Sequence, residues 1–265
     1  MREPIINIAI QAARTAGNLI ARAATRLDKV NVTEKKPNDY VTNIDKQAEK
    51  EITGIISKAY PDHGVLGEEG TEKSGNDYLW IIDPLDGTRN FIHGLPHFAV
   101  SIAVKYKNRI EHGVIYDPIR DELFTASRGK GAQLNERRIR VSTRKHLQDC
   151  LLGTGFPYRH SPQHQTAYLC TIQALLPICG DIRRLGAATL DLAYVACGRL
   201  DGFWELGLKP WDIAAGVLLI KEAGGLITDL HGGDDFFSKG DVIAGNATIL
   251  RQMLKIIRPH MPVGV

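Results

Sequence analysis

Two carboxylates three residues apart across a proline are the first sign of chemistry in this chain. In Trp80-Ile81-Ile82-Asp83-Pro84-Leu85-Asp86-Gly87-Thr88 an apolar strand delivers Asp83 at its end, because Pro84 cannot continue the hydrogen-bond ladder. The turn that follows brings Asp86 round beside it. Like charges that close would push one pKa strongly upward unless a cation stood between them. Mg²⁺, a hard ion that takes carboxylate, carbonyl and water oxygens, would settle the conflict with Asp83, Asp86 and the Leu85 carbonyl as partial ligands. Gly87 permits close backbone approach, and Thr88 stands where a helix would begin, so exposed amides there would form a phosphate cradle. The same residues also suit an Asx-type turn with both acids as ordinary turn formers.

Two further segments carry acids to comparable places. Gly67-Glu68-Glu69-Gly70 follows the apolar Val65-Leu66, which puts adjacent acids at a strand end or in a solvated loop. Pro210-Trp211-Asp212-Ile213-Ala214-Ala215-Gly216 places Asp212 in the first turn of a helix, where the dipole favours an anion with or without a metal. Asp45, three residues after Thr42, also reads as a variant capping box. Covalent aspartyl-phosphate chemistry would want acids at i and i+2, which a strand points the same way. The i, i+3 spacing here favours a metal-activated water as nucleophile.

Taken together, these segments in this order and spacing resemble the inositol monophosphatase family of Mg²⁺-dependent, Li⁺-sensitive phosphatases over nearly the whole chain. Asn90-Phe91, Pro96-His97-Phe98-Ala99-Val100-Ser101-Ile102 and Gly198-Arg199-Leu200-Asp201-Gly202-Phe203 leading to Glu205 extend the likeness. Thr154-Gly155-Phe156-Pro157, Arg183-Arg184 and Ala188 to Tyr194 look most like its bacterial SuhB branch. The resemblance implies an α/β (α+β) fold, a layered αβαβα sandwich, and about two or three Mg²⁺ ions per site. Glu68, Asp83 and the Leu85 carbonyl would hold the first ion, and Asp83, Asp86 and Asp212 the second. Gly87 and Thr88 amides match phosphate contacts. Asp45 and the Thr88 hydroxyl match the groups that position the attacking water, with Glu68 beside them. Glu205, the backbone near Ala188, Asp86 and Asp212 match the polyol side.

The implied substrate is myo-inositol 1-phosphate or a related phosphate monoester, and the implied assembly a homodimer. Related enzymes act on fructose 1,6-bisphosphate, adenosine 3′,5′-bisphosphate or NADP. The SuhB branch implies a second role, that of an accessory scaffold in ribosomal RNA transcription antitermination, with transcription-complex proteins and RNA as partners. Arg137, Arg138, Arg140, Arg144 and Lys145 would touch RNA phosphates, without an aromatic platform for stacking. Arg183-Arg184 suits a dimer or partner surface, or an exposed strand end with ordinary ion pairs. Lys209 reads as a rim charge, Trp211 as helix packing, and Glu69 as an acid behind Glu68 or an exposed one.

The elements that must hold these residues are legible in outline. With 265 residues, 33 Lys plus Arg against 30 Asp plus Glu, and 43% hydrophobic content, the chain has a core to bury and is no disordered tail. No block of like charge argues for nucleic acid or membrane. Cys150, Cys170, Cys179 and Cys197 lack zinc spacing and read as reduced thiols. Arg2, Glu3, Asn7 and Gln11 break any signal-peptide core, and Ser161 to Gly180 is too polar to span a bilayer, so a cytoplasmic protein is expected. Helical spacing of Ile5, Ala9, Ala12, Ala16, Leu19 and Ala23 predicts a helix from Pro4 to before Asp28. A Lys- and Asn-rich loop containing Pro37 leads to a second helix capped by Thr42, with Ala48, Ile52, Ile55, Ile56 and Ala59 on one face. Strands are expected at 78–82, 97–106, 109–117 and 123–126, then helices near 164–176, 189–197, 211–223 and 248–257. The expected division is 1–145, with most metal ligands, and 146–265, with Asp212 and the substrate residues, the site lying in the cleft between.

Overall fold

Helix α1 (Pro4–Ala24) begins at its proline and turns Ile6, Ala9, Ala12, Ala13, Ala16 and Ile20 inward. That stripe is rotated from the expected one: Ile5, Leu19 and Ala23 are only partly buried, because α1 is covered by a second helix as well as by a sheet. The computed structural model describes residues 4–36, 39–157 and 162–261; Arg2, Glu3, Pro37 and Ser161 lie outside them. Where a plain loop was expected after α1, strands β1 (Val32–Lys36) and β2 (Asp39–Thr42) pair antiparallel, with Val32 opposite Thr42 and Thr33 opposite Val41. The β-branched residues at these paired positions favour a ladder that the surrounding Lys and Asn obscure.

Helix α2 (Asn43–Ala59) carries the expected Thr42 cap and buries Ile44, Asp45, Ala48, Glu49, Ile52 and Ile56. Ile55 is only partly buried and Ala59 is exposed. Next come β3 (Gly64–Gly67), β4 (Glu72–Lys73), β5 (Tyr78–Asp86), α3 (Thr88–Ile92), β6 (Ala99–Tyr106), β7 (Arg109–Asp117), β8 (Glu122–Ser127), β9 (Gly131–Leu134) and β10 (Arg137–Arg138). They build an eight-stranded sheet of order β10-β9-β8-β7-β6-β5-β3-β4, in which β3 and β5 run parallel. Strand β5 does not stop at Asp83 as expected. It re-pairs at Asp86 against Ala99 after an irregularity spanning Pro84 and Leu85, so the proline interrupts the ladder without ending the strand.

The remaining elements are β11 (Leu151–Thr154), α4 (Pro162–Leu175), β12 (Asp181–Arg183), α5 (Ala188–Ala196), β13 (Gly202–Glu205), α6 (Pro210–Glu222), β14 (Leu226–Thr228), α7 (Phe236–Lys239), β15 (Val242–Gly245) and α8 (Ala247–Ile257). Their sheet has the order β12-β11-β13-β15-β14, with β11 parallel to both β12 and β13. Three apolar cores define the layers. Helices α1 and α2 pack on one face of the large sheet around Trp80 and Ile82. Helices α5 and α6 fill the space between the sheets, touching Ile81 and Ile115 on one side and Phe203 and Ala244 on the other. Helices α4 and α8 close the far side around Trp204 and Ile243. The result is the expected αβαβα sandwich. Strand β5, covered on both faces, reads as an unbroken apolar run for that reason. The four cysteines are free, and among the described residues no helix is long and apolar enough to cross a membrane.

Two glycines let α6 sit so deep. A Cβ on Gly113 of β7 would lie 2.9 Å from the Ala215 carbonyl oxygen, and one on Gly216 would lie 2.6 Å from the Leu192 side chain in α5. Gly113→Ala is expected to push α6 off the sheet and to cost about 1–3 kcal/mol. A urea midpoint equal to that of the wild type would contradict this packing.

Candidate active site

Parallel pairing of β3 with β5 and of β11 with β13 puts the carboxyl ends of each pair at one edge of its sheet. The chain leaving those ends, together with the leading turns of α3, α5 and α6, encloses a cavity of about 210 Å³. Ligands of open α/β sheets settle at strand carboxyl ends, where helix N-termini also point. Glu68 arrives from β3, Asp83, Leu85 and Asp86 from β5, Gly87 and Thr88 from the start of α3, Ala188 from α5, Glu205 from β13, and Asp212 from α6. Of the expected site residues, only Asp45 does not line the cavity; it lies just behind Thr88.

Asp83 is the centre of the cluster. Its side chain is 1% exposed, its Oδ1 accepts the Leu85 amide at 3.0 Å, and its carboxyl hydrogen-bonds the Glu68 side chain. Burial first, and then the charges of Glu68, Asp86 and Asp212, push its pKa well above the carboxylate range. Asp86 is oriented from across the cavity, where its Oδ2 accepts the Thr189 amide at 2.8 Å and the Thr189 hydroxyl at 2.6 Å in the first turn of α5. Burial raises its pKa too, against those bonds, the Gly87 amide and the Arg184 charge. The Gly87 amide, expected in a phosphate cradle, is thus engaged by its neighbour's carboxylate. Asp212 Oδ2 accepts the Lys209 amide at 2.7 Å, so the acid both caps α6 and faces the cavity.

Asp45 caps α2 with one oxygen and meets Thr88 with the other. Its Oδ2 closes the capping box with the Thr42 amide at 2.9 Å and with the Thr42 hydroxyl, while Oδ1 stands 3.0 Å from the Thr88 hydroxyl. That hydroxyl is also 2.9 Å from the Leu85 carbonyl, and its single proton serves one acceptor at a time. Burial pushes the Asp45 carboxyl up, opposed by the bonds from Thr42 and Thr88.

Glycine supplies the remaining room. Gly87 adopts φ +87°, the left-handed region, and a Cβ there would fall 2.9 Å from the His97 carbonyl oxygen. Asn90 Nδ2 donates to that same oxygen at 2.8 Å and to the Leu185 carbonyl at 2.9 Å, tying α3 to the approach of α5. A Cβ on Gly155 would fall inside the Glu205 carboxylate, so the substrate-side acid rests against bare backbone.

Tyr40 and Arg89, which were not singled out in the sequence, line the cavity with the guanidinium 5.1 Å from the ring centre. Arg184, expected on a dimer or partner surface, lines it as well, 5.7 Å from the Phe156 ring. Trp211 lines the cavity besides packing in the core, and Lys209 is an exposed rim charge. Arg183 pairs with Asp181 at an exposed strand end, whereas its neighbour Arg184 faces the cavity. Thr189 was detectable only as a hydroxyl at the start of a helix, and nothing in the order of residues linked it to Asp86, 103 positions away. Asp191, 1% exposed in α5, adds an acid whose pKa is pushed well up by burial and then by Glu205 and Asp86.

The donor set suits a hard divalent cation: Glu68, Asp83, Asp86, Asp212 and the Leu85 carbonyl share one cavity and offer oxygen only. Among the described residues no three acid, His or Cys side chains are drawn in tightly enough to hold an ion as they stand. Their oxygens lean instead on backbone amides and, for Asp83, on Glu68. An ionised carboxylate has about four lone-pair sites, so these bonds orient the acids without exhausting them. The charge cost recorded at Asp83 is what a cation would relieve.

A model of the inositol monophosphatase family matches residues 1–261. The Nus factor SuhB of Pseudomonas aeruginosa is 56% identical over 265 residues, covering 98% of each chain. The crystal structure of extragenic suppressor protein suhB from Bartonella henselae superposes with TM-score 0.93 at 47% identity, over 99% of this chain and 100% of that one. The inositol monophosphatase of Anabaena (Nostoc) sp. PCC 7120 gives TM-score 0.85 at 38% identity, over 98% and 97%.

The raised Asp83 pKa has a pH consequence in metal-free protein. An acid harder to ionise when folded costs nothing below its ordinary value of 3.8, and the cost grows as pH climbs to the raised folded value and stays in place above it. In EDTA at pH 8, Asp83→Asn is therefore expected to melt at or above the wild type, by ~2–4 °C for each kcal/mol recovered. It should also flatten the fall of Tm with pH. An unchanged pH slope would refute the assignment.

Proposed function

The chain belongs to the inositol monophosphatase family of metal-dependent phosphatases, and we propose that it hydrolyses small phosphate monoesters, myo-inositol 1-phosphate first among them, with Mg²⁺ as its cation and Li⁺ as inhibitor. The observation that supports this most is the convergence of Glu68, Asp86 and Asp212 on the fully buried Asp83 in one cavity. Bound there, divalent ions supply the charge that lowers the pKa of the attacking water and screens the phosphate oxygens.

The chain's own groups do the rest. Thr88 Oγ1, donating toward Asp45 Oδ1, keeps lone pairs to accept a hydrogen bond from the attacking water and hold it in line. As the water oxygen bonds to phosphorus, the bond to the alcohol oxygen breaks; of the water's two protons one stays with the phosphate and the other is passed to the departing alcohol oxygen, so alcohol and inorganic phosphate leave. Glu205 and the α5 N-terminus at Ala188 face the alcohol half, as acceptor and donor for its hydroxyls. The cavity is below the ~300–1,000 Å³ typical of drug-sized ligands, which favours a single-ring polyol.

A second role rests on the name of a relative. The Pseudomonas aeruginosa protein is a Nus factor, and at 56% identity this supports a place for the present chain among transcription-complex proteins; homodimer assembly and RNA contact are carried only by the resemblance to the SuhB branch. The basic segment at Arg137, Arg138 and Arg140 is exposed and outside the cavity, while Arg144 is tied to Asp201 at 3.3 Å. Binding and hydrolysis should thus be separable.

Phosphate release from inositol 1-phosphate, fructose 1,6-bisphosphate and NADP, with MgCl₂ or EDTA and with added LiCl, tests the main reading. Thr88→Ala is expected to lower kcat on the order of 10²-fold. Glu205→Gln should act mainly on KM for the polyol. No release from any monoester with Mg²⁺ would overturn the reading. Loss of RNA binding in Asp83→Asn would overturn the separation of roles.

A further inference from the structure

Helix α2 carries a second buried acid besides Asp45, and nothing in the reaction as set out above uses it. Glu49 is 3% exposed and stands one turn after Asp45 on the same face, roughly 6 Å along the axis. Its two oxygens are both spent on one loop: Oε2 accepts the Glu69 amide at 2.9 Å and Oε1 accepts the Thr71 amide at 3.0 Å. The loop bends around that carboxylate, with Gly67 N donating to the Thr71 carbonyl at 2.8 Å and Gly70 in the left-handed region at φ +104°. Gly67 leaves the space it occupies; a Cβ there would lie 2.6 Å from Glu49 Cδ.

Between the two captured amides and strand β5 stands Glu68. Its own amide donates to the Ile82 carbonyl at 3.1 Å, and the next amide is the one Glu49 holds. The backbone is therefore gripped on both sides of the residue whose side chain meets Asp83. Burying a carboxylate is costly unless charge-assisted bonds offset it, and both of these are directed at a segment, Gly67 to Thr71, that has no large apolar side chain of its own.

We propose that Glu49 is a positioning residue for the cation site: by holding the Glu69 and Thr71 amides it sets where Glu68 stands relative to Asp83. The same helix, through Asp45 and Thr88, orders the water side, so α2 acts as a ruler between the two. The assignment rests on the reading of Glu68 as a cation ligand. Groups that orient ligands from behind typically carry about 10–100-fold in metal affinity.

The test is the rise of Tm with MgCl₂ in wild type, Glu68→Gln, Glu49→Gln and Gly67→Ala, each also melted in EDTA. Glu49→Gln keeps the shape but turns an NH₂ toward one of the two amides. Gly67→Ala displaces the carboxylate without changing its charge. Both are expected to need about 10–100-fold more MgCl₂ for the same rise. A variant that melts earlier in EDTA yet responds to MgCl₂ as the wild type does would reduce Glu49 to a structural anchor and overturn the proposal. If either variant fails to fold, the wild-type amide resonances of Glu69 and Thr71 decide: they are expected to shift on MgCl₂ addition, and their indifference would overturn it equally. No MgCl₂ response in the wild type would instead sink the cation reading, and this assignment with it.

Discussion

The structure is organised around the concentration of negative charge at Asp83. A carboxyl 1% exposed, with Glu68, Asp86 and Asp212 beside it, is an arrangement that no packing energy favours. The acids do not relieve it by moving apart, because Asp86 is pinned by both donors of Thr189, Asp212 by the Lys209 amide and Asp83 itself by the Leu85 amide, while the Glu68 backbone is held on the Ile82 carbonyl. Local hydrogen bonds thus hold apart from solvent a set of charges that repel one another. That is the state expected of a site built for a cation and not of one built for stability.

The layered fold makes such pinning possible. Acids from the large sheet meet donors from helices that belong to the middle layer, and that layer is pressed so close that Gly113 and Gly216 are needed where it touches its neighbours. Helices α5 and α6 point their N-termini at the cavity, and α5 is buried throughout and α6 from Ile213 to Ile220, so the orientation of Thr189 and Asp212 is inherited from the core. A change deep in the middle layer, far from any acid, would be felt at the site.

How much could be read from residue order varied with the distance over which a signal acts. The strands at 109–117 and the cap at Thr42 were legible because alternation and capping are local. The β1–β2 hairpin was missed because its polar residues outvote the paired Thr and Val positions. The continuation of β5 past Pro84 was missed because a proline breaks the ladder locally, while re-pairing at Asp86 depends on β6 lying alongside. Among site residues, the acids of Asp83 to Thr88 announced themselves by spacing. Glu49, Tyr40, Arg89 and Thr189 did not, since each acts on a partner distant in the chain.

The sequence by itself determined which groups are present and how each is launched: an acid after an apolar strand, a glycine where φ must be positive, an acid in the first turn of a helix. These follow from short-range sterics and from backbone hydrogen bonding, which need only a few neighbours. Tertiary structure alone decided which of those groups share a space. It turned Asp86 toward Thr189, cupped the 67–71 turn around Glu49 and left Asp45 behind Thr88. Burial, the largest cause of the raised pKa at Asp83, is a property of the assembled layers and has no counterpart in residue order.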